Sequence, residues 1–329
     1  MRLNTAVFPV LLSTLLPLAA CDAPDAADDA DLTARSGESC PRWSCGYNTS
    51  EINGKSLQEL HLGGQANADG VKIVGFLATQ GLLVGYTLET DGDELIARGG
   101  LLGKTVLRGD QLIGSILLIQ VQLGLVVPVV ILDHDEVPSW AEDAAPVHAY
   151  ALVYADLQQP LLQHSVCKGT LSNTLDAVVV VLAGERYNLT QKTVLPGQNG
   201  WITLGCAGSA TAKMALMNYG PHSDFDGAGH PASVSQRQTT LKMITADYCG
   251  GGDSYTADGT PLMWENQSGT VTPAPQWSAA GVEAVWGPLG AICLDTPRLV
   301  DRDDVACALP SCAGYDLDDG EWRTEAVAE

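Results

Sequence analysis

Asp247, Tyr248 and Cys249 stand in a row ahead of Gly250-Gly251-Gly252. A carboxylate and a phenol beside permissive backbone suit an acid–base or binding corner, with Asp247 as base or ligand. His222 and His230, with Asp224 and Asp226 between them, lie in a Gly-rich loop upstream and could serve the same chemistry. The competing reading is structural. Asp247 then hydrogen-bonds loop amides at a helix end pinned through Cys249, and Tyr248 enters the core. A carboxylate near a helix C-terminus faces the negative end of the helix dipole, so Asp247 needs a compensating partner.

Other constellations are weaker. No pair among the six histidines has the H-E-x-x-H spacing of a helical zinc site. Asp133-His134-Asp135-Glu136 reads as a solvated polar loop. Asp316-Leu317-Asp318-Asp319-Gly320-Glu321 puts its glycine fifth, where a calcium loop needs it sixth. No metal and no cofactor is assigned. There is no G-x-S-x-G nucleophile motif. Gly205-Cys206-Ala207-Gly208, ahead of a helix, would favour a thiolate, but the cysteine count below gives Cys206 to a disulfide.

The elements that must position these residues are mostly strands. Segments 82–88, 95–98, 105–108, 113–122, 126–132, 147–154 and 178–182 are short and rich in Val, Ile, Leu, Thr or Tyr. The nearly all-apolar 147–154 belongs at the centre of a sheet. Two helices follow. The first spans 209–218, with Ser209 as cap and Tyr219-Gly220-Pro221 as stop. The second begins at Ser233, where Ser233 and Gln236 have capping-box spacing. Its apolar face is Val234, Leu241, Ile244 and Tyr248, and the three glycines end it. Asp258-Gly259 between 254–256 and 262–264 predicts a hairpin, as does 287–290 between 282–286 and 291–294. Residues 316–329 read as a loose acidic end. The fold expected is mainly β (α+β): an antiparallel sandwich or barrel-like body, two short helices and C-terminal hairpins, stabilised by disulfides.

At the N-terminus, Arg2 precedes an apolar run over 6–18 that is too short to span a bilayer. Leu18-Ala19-Ala20-Cys21 closes it. This resembles a bacterial lipoprotein signal, which implies cleavage before Cys21 and acylation of its thiol. The expected organisation is a leader over 1–20, an acidic tether over 21–39, a β-rich region over 40–200, a domain over 201–298 and an acidic Cys-containing tail over 299–329. Loss of Arg2 with the leader leaves 16 basic against 39 acidic residues, a net charge of −23. That balance repels nucleic acid and anionic headgroups, so no nucleic-acid partner is expected.

Nine cysteines become eight once Cys21 is acylated. An even set outside the cytoplasm reads as a disulfide framework. Cys40 with Cys45, and Cys307 with Cys312, could each close a short local loop. Cys167, Cys206, Cys249 and Cys293 would then make longer links.

The run Met243-Ile244-Thr245-Ala246-Asp247-Tyr248-Cys249-Gly250-Gly251-Gly252, continuing to Asp258-Gly259-Thr260-Pro261-Leu262, closely resembles the ADYC domain family. Gly205-Cys206, Tyr219-Gly220-Pro221, Glu283-Ala284-Val285-Trp286 and Gly290-Ala291-Ile292-Cys293-Leu294 match as well. The resemblance is specific over 201–298 and looser upstream. Its members look like envelope lipoproteins of myxobacteria and relatives, so it implies a location and no mechanism. The function expected is a lipid-anchored envelope protein, held to the membrane through its lipid, with a binding or structural role towards an envelope protein or glycan. The alternative is an extracytoplasmic small-substrate hydrolase using Asp247 and the His222–His230 loop.

Overall fold

The computed structural model describes residues 50–79, 85–100, 103–122, 124–155, 162–167, 178–257, 260–273 and 278–327. The leader and tether with Cys21, as well as Cys40, Cys45, residues 82–84 of the first expected strand and the Asp258-Gly259 pair, lie outside the described residues.

The strands before the helices are β1 (Glu51–Ile52), β2 (Lys55–Ser56), β3 (Glu59–His61), β4 (Lys72–Leu77), β5 (Tyr86–Asp91), β6 (Glu94–Gly99), β7 (Thr105–Arg108), β8 (Ile116–Gln122), β9 (Leu125–Val137) and β10 (Val147–Ala155). β11 (Gln163–Ser165), β12 (Val178–Ala183), β13 (Arg186–Asn188), β14 (Thr193–Leu195) and β15 (Trp201–Cys206) complete them. Helices α1 (Ala210–Leu216) and α2 (Val234–Thr245) follow, then β16 (Leu262–Asn266), β17 (Ala279–Gly287), β18 (Gly290–Leu294) and β19 (Trp322–Val327).

The main sheet is antiparallel, in the order β3-β15-β12-β10-β9-β8-β4, with β11 added on β10. It curls into a nearly closed barrel. Asn67, between β3 and β4, spans the seam: its side-chain N–H groups donate to the carbonyls of Ser56 and Glu59, and its backbone N–H to Val71 O. β10 lies centrally, between β9 and β12, as its apolar run requires. Every residue of β12, Val-Val-Val-Val-Leu-Ala, is buried, because the sheet is covered on both faces. Val179 and Val181 face the barrel core with Leu117, Ile131, Leu152 and Leu204. Val180 and Leu182 face a second core shared with α1, α2 and the C-terminal sheet. The small sheet β5-β6-β7 contributes Leu88, Leu95 and Leu107 to the first core.

Both helices begin as their sequences predict. Ser209 Oγ accepts from Ala212 N, and Ser233 and Gln236 form a reciprocal capping box. The stop of α2 differs from expectation. Ala246, not a glycine, takes the left-handed conformation (φ 50°), and Asp247 N–H donates to Lys242 O in a Schellman-type closure. Asp247 and Tyr248 therefore lie beyond the helix. Val234 is largely exposed, while Leu241, Ile244 and Tyr248 are buried.

Three further expectations are corrected. Residues 254–256 form no strand; β16 pairs instead with β19. The acidic end is not loose: β19 runs between β16 and β17 in a four-stranded sheet, and Trp322 is fully buried. Asp133-His134-Asp135-Glu136 is part of strand β9, in register with β10, and not a loop. The hairpin β17–β18 forms as expected. No helix among the described residues is long and apolar enough to cross a membrane.

Candidate functional site

The helix stop places Asp247 with a carboxylate that is fully buried. Its compensation comes from Lys242, one turn back. Lys242 Nζ lies 2.5 Å from Asp247 Oδ2 and donates also to Gln191 O (2.9 Å) and Gly250 O (3.0 Å). All three ammonium protons are thereby used. Gly252 N–H donates to the same Asp247 oxygen at 2.9 Å, while Oδ1 has no partner. The carboxylate thus closes the turn that carries the glycines. Those glycines are fixed by close approach. At Gly250 a Cβ would collide with Leu289 O, and at Gly252 with Thr190 O, both at positive φ.

Tyr248 turns into the second core and stacks on Trp286, with centroids 5.2 Å apart. Its hydroxyl donates to Glu283 Oε1 (2.6 Å) and accepts from Arg298 N–H (3.0 Å). Burial, followed by the Glu283 charge, pushes the phenol well above its ordinary range, so it stays protonated. Arg298 joins this corner to α2: its guanidinium pairs with Glu283 (2.7 Å) and donates to the last helical carbonyls, Met243 O (2.7 Å) and Ile244 O (3.1 Å). A third buried pair, Arg237 with Glu185 (2.6 Å), is completed by Tyr187 Oη–H donating to Glu185. Cys249 is bonded to Cys307. Each signature side chain is thus engaged with the protein itself, and Asp247 is closed to solvent.

The histidines do not join this corner. His222 Nε2–H donates to Ala183 O (3.0 Å) at the end of β12. His230 is exposed and bonds Asp226 Oδ2 (2.8 Å) within its own loop. Neither shares a hydrogen-bond partner with Asp247 or Tyr248. Trp264 and Trp286 are buried, Trp264 stacking on Trp140 at 5.9 Å, and so offer no open platform for a sugar ring. Among the described residues no three His, Cys, Asp or Glu side chains converge as a ready metal-binding group.

The six described cysteines form three disulfides: Cys167–Cys206, Cys249–Cys307 and Cys293–Cys312. The local Cys307–Cys312 loop is corrected by these pairings. Cys312 packs instead against Val285 and Cys293 in a small core of its own, and Cys307 reaches back to the motif.

Lys242, Arg298, Glu185 and Arg237 escaped the sequence reading, and Glu283 entered it only as part of the family resemblance, with no role. Lys242 alone had a local cue, a cation in the last turn of a helix ahead of a carboxylate.

Asp93 is a further acid, half-buried at the tip of the β5–β6 hairpin. It accepts from Ala183 N–H at 2.7 Å. Burial holds its carboxyl up at about 6, with the Ala183 hydrogen bond and His222 opposing the rise. The folded state therefore binds this proton more readily than the unfolded chain. The carboxyl costs no stability below about pH 4, where both states are protonated; the cost grows as pH rises and is complete above about 6. A rise of that size corresponds to about 3 kcal/mol, reduced to about 1–2 by partial exposure. Asp93→Asn, which keeps the acceptor, is expected to raise the urea midpoint at pH 7.5 and leave it unchanged near pH 4. An equal change at both pH values would count against the buried charge.

Fold and motif together define a disulfide-braced, mostly β protein whose signature residues hold their own corner together. The chain belongs to the ADYC domain family: the family model matches residues 109–300, more than half of the 329. The match begins upstream of 201–298 and takes in β8 to β18, so the motif and the barrel strands other than β3 and β4 fall within the matched range. No curated protein and no solved structure matches the chain.

Proposed function

We propose that the protein is a lipid-anchored component of the cell envelope, exposed outside the cytoplasm on the periplasmic face or the cell surface, with a binding or structural role. Leu18-Ala19-Ala20-Cys21 supplies the processing and acylation signal, and the acidic stretch 22–39 serves as the spacer between anchor and domain. The observation that carries the reading is the pairing of all six described cysteines, a use of thiols suited to an oxidising compartment. Two acyl chains hold a protein at a membrane where one does so marginally. Partners would be envelope proteins or glycans. A hydrolytic role for Asp247 gains no support from a carboxylate that substrate cannot reach.

The test is the intact mass of protein extracted from membranes, after thiol alkylation, with and without reductant. Expected are a chain starting at Cys21, added lipid mass, and alkylation of eight cysteines only after reduction. A lipid-free chain, or an uncleaved one, would overturn the anchor. Free thiols in exported protein would remove the disulfide argument.

A further inference from the structure

His134 on β9 and His148 on β10 are brought side by side by a register that pairs His134 with Tyr150 and Glu136 with His148. All four side chains therefore share one face of the sheet. His134 Nε2 lies 3.1 Å from His148 Nδ1. The rings meet edge to edge, with centroids 5.4 Å apart and 26° between planes. Asp110, on the 3-10 turn Gly109–Leu112, places Oδ1 3.0 Å from His134 Nδ1. A carboxylate only accepts, so His134 Nδ1 carries a proton, and in the neutral ring Nε2 presents its lone pair towards His148.

A divalent cation can replace the proton shared by those two nitrogens. Two imidazole nitrogens on a tetrahedral zinc, each about 2.0–2.1 Å from the metal, sit roughly 3.3 Å apart, close to the spacing found here. Glu136 Oε1 is 3.9 Å from the same His148 nitrogen, and its side chain is 58% exposed and free to swing. Asp110 then occupies the place of the outer carboxylate that fixes a ligating histidine's tautomer. The His134 ring is 7% exposed and His148 28%, so one side of the pair is walled by protein and the other is open. As the side chains stand, the donors do not meet at one point; a rotation of Glu136 and a tilt of each ring close the site.

We propose that His134, His148 and Glu136 bind one divalent transition-metal cation, zinc being the reference case, with Asp110 as the positioning residue. Binding at His148 Nδ1 moves that nitrogen's proton through solvent to Nε2 of the same ring, which stays neutral, and leaves the fourth position to water.

The test is calorimetric titration of tag-free, chelator-treated full chain with zinc chloride, since a polyhistidine tag would bind the ion itself. The expected result is saturation at one equivalent. His134→Gln and His148→Gln should each lose that step, Glu136→Gln should weaken it, and Asp110→Asn should weaken it roughly tenfold or more. Circular dichroism checks each variant; should His134→Gln fail to fold, the more exposed His148→Gln carries the comparison. No saturable binding overturns the proposal. So does one-equivalent binding that survives in His148→Gln, which would put the ion on other histidines such as His222 or His230.

Discussion

Asp247→Ala is expected to destabilise the protein by about 3–5 kcal/mol, the usual cost of leaving one half of a buried ion pair alone. The Lys242 side chain is 3% exposed and keeps only the carbonyls of Gln191 and Gly250 as partners. Domains of this kind hold about 5–15 kcal/mol in all, so the variant should melt early or fail to accumulate. Two changes compound: an ammonium loses its counter-charge, and the Gly252 amide loses its acceptor. The decisive comparison is the double variant Lys242→Met, Asp247→Asn against each of those two single variants. With neither charge present, it should recover much of the loss, giving a coupling of about 1 kcal/mol or more in a urea-denaturation cycle. Additive losses, or an Asp247→Ala loss below about 1 kcal/mol, would show that the pair does not hold the corner. Asp247→Asn alone separates the two readings of the motif: a structural residue loses stability, whereas a catalytic one loses turnover in a protein that stays folded.

Trp322→Ala should cost a similar 3–5 kcal/mol, the range for deleting a buried tryptophan from a core. Trp322 lies on β19 with strands on both sides, its ring 5.1 Å from Tyr219 and its indole N–H donating to Thr240 Oγ1 on α2 at 2.8 Å. Removing it empties the contact between sheet and helix. Trp322→Phe keeps most of the apolar area and gives up one hydrogen bond, so it should lose only about 1 kcal/mol for the bond plus the residual volume. Melting of the two variants side by side checks this. A Trp322→Ala protein that melts with wild type would return the acidic end to the status of an appendage.

What the sequence made legible was whatever a short window decides. β7 was read at its full extent and β12 to within one residue, because β-branched runs bounded by turn residues leave little choice. Ser209 and Ser233 were legible as caps because their hydrogen bonds close within three residues. Some of the misses were long-range and others local. Leu262-Met263-Trp264 needed a partner that would bury it, and β19 met that need across some sixty residues where 254–256 could not. The acid count of 316–329 hid the alternation of Trp322-Arg323-Thr324-Glu325, whose inward members are buried and outward members are not. A period-two reading of those four residues would have found the strand. The motif itself was legible as a unit, but its role was not. Glu283 and Arg298 lie 35 and 50 residues beyond Tyr248, and Lys242 faces Asp247 only because the chain reverses at Ala246.

The bridges of the C-terminal half interleave: Cys293 lies inside the loop closed by Cys249 and Cys307, and its partner Cys312 lies outside it. Oxidising the chain in order of appearance would join Cys249 to Cys293 and Cys307 to Cys312. The second of those closes the shortest loop and is favoured in an unstructured chain. Neither is native. Oxidative refolding of reduced protein should therefore pass through non-native isomers, and its yield should depend on a thiol–disulfide shuffling agent more than on the strength of the oxidant.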